Sequence, residues 1–356
     1  MKMSTIGMRP ALGRPQRSRA SLLLERGISS GTLVAAAVLL IMIVIFVSVR
    51  PTFLRGTLFT SLVLNGSLAA ALAAAGLALV VLVGGLDLSI AGSIALANAL
   101  LTTQLGGGPA QQAAIILMVL VIGAATGYVN GLLVTVFGLE PVVVTLGTGF
   151  ILSGTALLIL PAPASVDPDS LGLIATLTTT AVVPGALVLM CVVAALWLVL
   201  RRSSLGAHII AVGSDPHAAA QNGVRVGRTK RIAFAGSGLL YALAGAALTS
   251  QTLGGDTAVA QDYLLTAFAA VVIGGISMGG GRGSVVGAIM GAVTLTVAIN
   301  LLFAIGLASF WGVIAKGFIL LAAVALQAGV RALHQRLAPP PPPTSFSPDW
   351  MNGGRS

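Results

Sequence analysis

Long apolar runs, separated by short polar or glycine-rich joints, fill most of the chain. A helix crossing hydrocarbon needs about 20 apolar residues, and fewer where a segment re-enters from one face. On that scale the runs predict helices at 30–49, 59–83, 88–105, 112–137, 141–160, 180–200, 230–252, 262–277, 283–306 and 310–330. The expected fold class is an all-α polytopic membrane protein of about ten transmembrane or re-entrant helices, an even number that returns both termini to one side. Residues 1–29 form a basic arm, 30–330 the transmembrane domain with a polar loop at 201–231, and 331–356 a tail. The tail's run from Pro339 to Pro343 forbids helix and predicts polyproline II followed by disorder.

Composition narrows the class. Of 356 residues, 56% are hydrophobic and 8% charged, with a mean hydropathy of +1.03, a balance that lipid tolerates and water does not. Aromatics at 5% against 45 glycines favour closely packed helices over a barrel with aromatic girdles. Cys191 is the single cysteine, so disulfides and cysteine metal sites are excluded, and His208, His217 and His334 have no ligand spacing, so no metal centre is expected.

The net charge of +10 would suit nucleic acid, but its distribution argues for a membrane instead. Six Lys/Arg fall in residues 1–29 and six in 201–231, while 56–200 holds none. The positive-inside rule makes those two stretches, and hence both termini, cytoplasmic in a multi-pass membrane protein. The loops at 161–180, with Asp167 and Asp169, and at 253–261, with Asp256, then fall outside. Arg50 and Arg55 run against this alternation. The basic arm is too long, and lacks the cleavage site, for a removable signal peptide, so the first helix is expected to be retained.

Isolated polar residues inside apolar runs are the candidate chemistry. Asp87 in "VVLVGGLDLSIAG" costs about 2.5–3.5 kcal/mol at a bilayer centre unless it meets a partner, a cavity or a helix break. Two compatible readings are a cap on a helix beginning near Leu88 and, with Ser89, the wall of a polar path. Asn65, Asn98, Asn130, Thr145 and Asn300 complete the candidate translocation path, although buried amides equally serve as glue between helices. Glu140 before Pro141 reads as a turn that starts the next helix. Lys316, the lysine inside an apolar run, is near enough to an end to snorkel.

Glycines mark candidate hinges and close contacts: Gly84 and Gly85 before Asp87, Gly274 and Gly275 in "IGGISMGGGRGS", then Gly283, Gly287 and Gly291 as a packing stripe on one helix. "GISMG" has nucleophile-elbow spacing around Ser277, but no predicted membrane helix contains a histidine base, so an intramembrane hydrolase is excluded.

The polar loop contains its own helix signal. Ser214 or Asp215 is a cap, Pro216 suits the first turn, His217, Ala218, Ala219, Ala220 and Gln221 propagate the helix, and Asn222 and Gly223 end it. Two turns are unstable alone in water, so the element must lean on a neighbour. It either rests on the membrane surface or pegs into a cytoplasmic partner; its alanine sides lack the apolar face that membrane burial requires, which favours the peg.

Four blocks, in order, resemble one family: Val83–Ala97, Asn130–Ile159, Ser204–Gly245 and Ala269–Ala292. The chain is similar to the permease subunit of bacterial ABC importers for sugars of the ribose, xylose, arabinose and galactose class. The resemblance implies that Asp215 to Gly223 is a coupling helix seated in an ATP-binding subunit, that two permease chains, identical or not, enclose the path, and that an extracytoplasmic binding protein delivers the sugar. ATP and Mg would then belong to the partner, and this chain would carry no cofactor, bind no nucleic acid and perform no enzymatic reaction. In agreement, the chain has no phosphate-binding loop sequence, its lysines being Lys2, Lys230 and Lys316. It departs from the family at Thr266 and Gln327, where an acid is usual, and at Ile299, Asn300 and Leu301, where Asn-Asn-Gly is common. The alternatives are an ion-coupled secondary transporter using Asp87, or an ABC permease for another neutral solute such as a nucleoside or polyol.

Overall fold

The computed structural model describes residues 30–51, 57–179, 183–308 and 310–337. The basic arm, Arg55 and the proline tail lie outside the described residues. Each expected apolar run is a helix: α1 (Ser30–Val49), α2 (Gly66–Leu82, entered through a π-turn at Thr60–Asn65), α3 (Ile90–Gln104), α4 (Pro109–Val136), α5 (Pro141–Ile159), α6 (Gly185–Arg202), α9 (Val226–Thr252), α10 (Asp262–Ile273), α11 (Val285–Ala304) and α12 (Phe310–Leu337). Between α6 and α9 stand α7 (Ser204–Ser214) and α8 (Pro216–Gln221). No expected helix covers 203–213, yet α7 fills it; its signal is Leu205, Ile209 and Val212 at helical spacing behind a capping serine, Ser203, whose Oγ accepts from Gly206 N–H.

Among the described residues seven helices are long and apolar enough to cross a membrane, and α3 and α10 are shorter. At 15 and 12 residues these two reach about 22 and 18 Å, short of a hydrocarbon core of about 30 Å, and each is joined to a longer helix through a backbone break, α3 after α2 and α10 before α11. Helices α2 and α10 end alike, in a six-to-one closure around a left-handed glycine. Gly85 N–H donates to Val80 O (2.9 Å) and Ile276 N–H to Val271 O (3.2 Å), with Gly84 and Gly275 at φ +74° and +73°. Helix α11 begins at Val285, so Gly283, at φ +130°, belongs to the preceding turn and not to the stripe expected with Gly287 and Gly291.

Helices α2 and α9 form the centre, 83% and 72% buried over their spans, whereas α1, α4, α5 and α6 range from 17% to 28%. The outer set presents Leu158, Phe150 and Val199 outward, as a lipid-facing ring should. Because lipid offers no hydrophobic drive for helix pairing, contact depends on close approach. On α4, Gly123, Gly127 and Gly131 recur every fourth residue along α9; a Cβ at Gly127 would lie 2.0 Å from Phe234 O. That stripe was equally present in the sequence and was not singled out.

The helices terminate at two distinct ends. At one, β1 (Ala164–Ser165) pairs antiparallel with β2 (Gly254–Gly255), joining the two acidic loops. The other end carries α7, α8 and the turn at 274–284. Arg50, the residue that strained the charge pattern, donates through Nη2 to Ala304 O (2.9 Å) at the C-terminus of α11, where a cation meets the negative end of the helix dipole.

Candidate functional site: a capped protrusion, a buried clamp and a polar cavity

Helix α8 forms as its residues dictate. Asp215 Oδ1 accepts from His217 N–H (2.8 Å) and Ala218 N–H (3.0 Å), Pro216 occupies the first turn, and Gly223 takes φ +81°. Ser214 is not the cap; its hydroxyl donates to Ile210 O within α7. His217, Ala218, Ala220, Gln221 and Asn222 are exposed, while Ala219 turns inward at 5% exposure.

Just before the cap, α7 is socketed into backbone. A Cβ on Gly213 would lie 1.8 Å from Leu82 O and 2.6 Å from Gly281 N, and one on Gly280 would lie 2.9 Å from the Gly84 Cα. Gly281 N–H donates to Leu82 O at 3.1 Å. Three chain segments thus meet without intervening side chains: the end of α7, the break after α2, and the turn between α10 and α11. Only glycine permits so close an approach.

Beyond the break, Asp87 is fully buried. Its Oδ1 accepts from Ser89 N–H (2.9 Å) and Ser89 Oγ (2.6 Å), and its Oδ2 faces the Ser237 hydroxyl of α9 at 3.3 Å. Asn130 Nδ2 donates to Ser89 Oγ (3.3 Å), Thr148 Oγ1 donates to Asn130 Oδ1 (2.7 Å), and Thr145 Oγ1 accepts from Leu88 N–H (2.9 Å). The cap expected at Leu88 is corrected, because α3 starts at Ile90 with Ser89 as its N-cap residue, and Asp87 forms a local turn ahead of it. The structure gathers Asp87, Ser89, Asn130 and Thr145 into a closed cluster linking the break to α4, α5 and α9, and none of the four lines the polar cavity near the β-pair end.

Asn98 and Asn65 also act as pins. Asn98 donates to Thr249 Oγ1 (2.8 Å) and Gly254 O (3.1 Å) and accepts from Asp256 N–H (3.1 Å), holding the β-pair loop. Asn65 Nδ2 donates to Thr178 O at 2.8 Å.

Asn300 differs from these in lining open space. A cavity of about 330 Å³ opens between α2, α10, α11 and α12 near the β-pair end, and its wall includes Gln251, Asp262, Thr266, Thr296, Asn300 and Lys316. Lys316 does not simply reach for the surface: its Nζ lies 3.8 Å from Asp262 Oδ2, and its side chain is only 16% exposed. Thr266 and Ile299, two positions marked as departures, are also on this wall.

Residues 59–324 match the model of the family described as branched-chain amino acid transport system / permease component. The chain belongs to this family of transport permease components. Among its relatives in that family, a probable ABC transporter permease protein of Sinorhizobium fredii is 36% identical over 256 residues, 70% of this chain and 75% of that one. The ribose import permease protein of Bacillus subtilis is 32% identical over 295 residues, 81% and 90% of the two chains. The galactose/methyl galactoside import permease protein of Escherichia coli is 32% identical over 310 residues, 81% and 91%. No solved structure matches the chain significantly. As a permease component it is a multi-pass membrane protein whose business is transport rather than catalysis.

Proposed function

We propose that this chain is the membrane-spanning subunit of an ATP-driven importer that passes a neutral monosaccharide inward. The observation that carries the reading is α8 itself, a self-capped helix with an exposed outer face, rooted through Gly213 in the backbone of the break after α2 and of the turn between α10 and α11. A helix so rooted moves α2, α10 and α11 when it moves. An ATP-binding subunit holding ATP and Mg would seat α8, a second permease chain would complete the path, and an extracytoplasmic binding protein would deliver the sugar to the β-pair end. The α8 end is assigned to the cytoplasm because Arg201, Arg202, Arg225, Arg228, Lys230 and Arg231 flank α7 and α8, whereas Asp167, Asp169 and Asp256 flank the β-pair.

The relatives named for ribose and for galactose import support a sugar cargo. Asp87 is taken as a structural clamp rather than an ion-coupling site, since protein hydroxyls and an N–H already meet its oxygens. Gly84, Gly85, Gly274 and Gly275 act as the joints at which the chain flexes after α2 and after α10, and Gly287 and Gly291 as the face on which α11 bears against α10.

Copurification from mild detergent, followed by reconstitution with the recovered ATPase and binding protein, tests the reading. Sugar uptake that needs ATP and both partners, and that survives collapse of ion gradients, is expected. Concentration of a solute by the isolated chain would overturn it.

A further inference from the structure

The polar wall of the 330 Å³ cavity contains more hydrogen-bonding capacity than the protein itself uses. Lys316 sits on a membrane helix at 16% side-chain exposure, and its charge partner among the described residues, Asp262, is 3.8 Å away. That is a Coulombic contact and too long for a hydrogen bond, so three ammonium donors remain for something else. Asp262 is itself 62% exposed, with carboxylate oxygens available. Asn300 donates from Nδ2 to Leu62 O at 2.9 Å, and among the described residues its Oδ1 has no partner, nor has the Gln251 amide. Four groups of mixed donor and acceptor character therefore converge on one concave space of ligand size.

We propose that this cavity is a transient monosaccharide subsite within the permease, with Lys316, Asp262, Asn300 and Gln251 meeting the ligand's hydroxyls; this rests on the importer reading above. Hydroxyls both donate and accept, which suits such a set. A carboxylate ligand beside Lys316 would also stand beside the Asp262 carboxylate, 3.8 Å from the ammonium, and be repelled by it. The amides and the paired charges thus select a neutral, polyhydroxylated solute over an amino acid. Contacts here are loose by construction, as a passing site requires: one that bound tightly would retain its cargo.

The test uses the full complex of permease, ATPase and sugar-loaded binding protein in vesicles, reading sugar moved per ATP hydrolysed. Asn300→Ala and the neutralised pair Asp262→Asn with Lys316→Met are each expected to lower that ratio about tenfold while the complex still copurifies. Loss of fold would lower assembly and both rates together; if either variant fails to assemble, the near-isosteric Gln251→Met, at an exposed position and expected to lower the ratio severalfold, decides in its place. An unchanged ratio in every variant that assembles overturns the subsite. Uptake of leucine by the wild-type complex, lost in Lys316→Met, overturns the assignment to neutral solutes. Failure of the wild-type complex to move any sugar instead sinks the importer reading, and this inference with it.

Discussion

The two ends of the molecule are built on opposite terms. At the α8 end, glycines bring three stretches of backbone into contact, and side chains are almost absent from the junction of Gly213, Gly84, Gly280 and Gly281. At the β-pair end the helices part around a cavity, and side chains such as Lys316, Asp262 and Asn300 provide its character. Backbone against backbone has few rotamers in which to absorb a push, so on the proposed reading displacement at α8 would pass on to α2, α10 and α11. A wall of amides, hydroxyls and long charged chains can adjust to what passes. On the proposed reading, one end transmits position and the other meets a solute.

The sharpest way to break this contrast is Gly213→Val. Its Cβ would fall 1.8 Å from Leu82 O, and overpacking of that severity costs about 3 kcal/mol; a large fall in the detergent melting midpoint and in yield is expected. A near-normal midpoint would show that the junction is slack. At the other end, Asn98→Ala removes three hydrogen bonds to the β-pair loop and α9 and should cost about 2 kcal/mol, read as a lower midpoint with ATP-coupled uptake retained in the surviving protein. Coupling lost in step with stability would mean that the two ends are not separable.

Charging the outer face of α8 sharpens the contrast instead. His217→Glu with Ala218→Glu alters exposed positions only and should leave the melting midpoint in place while uptake falls at least tenfold; unimpaired coupled uptake would remove α8 as the docking peg. The smallest effect belongs to Asp215→Ala, which deletes the cap of α8 at about 1 kcal/mol. Faster amide exchange confined to the first turn of α8, at 217 and 218, is the expected signature, and unchanged exchange there would count against the cap's contribution.

Which face of α8 points outward was not legible in the sequence. "PHAAAQ" offers alanines all round, and only packing turns Ala219 inward and leaves Ala218 and Ala220 exposed. Asp87 teaches the same lesson for the core: its sequence neighbourhood suggested both a cap and a path wall, and the outcome depended on Ser237, 150 residues away on α9. Of the candidate path residues, Asn300 alone lines the polar cavity described here, because that space is made by helices whose order along the chain does not announce their adjacency. Lys316 was seen as a lysine near a helix end; its partner Asp262, 54 residues earlier on another helix, was not.

What the amino-acid order determined alone were the local features: the apolar runs, because a helix in lipid must satisfy its own backbone groups within the segment; the charge asymmetry of the loops; and the cap, proline and terminal glycine of α8, whose hydrogen bonds span no more than a few residues. Tertiary structure decided which buried amides became pins, which glycine stripe faced which helix, and where four helices left room for a solute. Those outcomes depend on contacts between residues far apart in the chain, and no local pattern encodes a partner that only packing brings near.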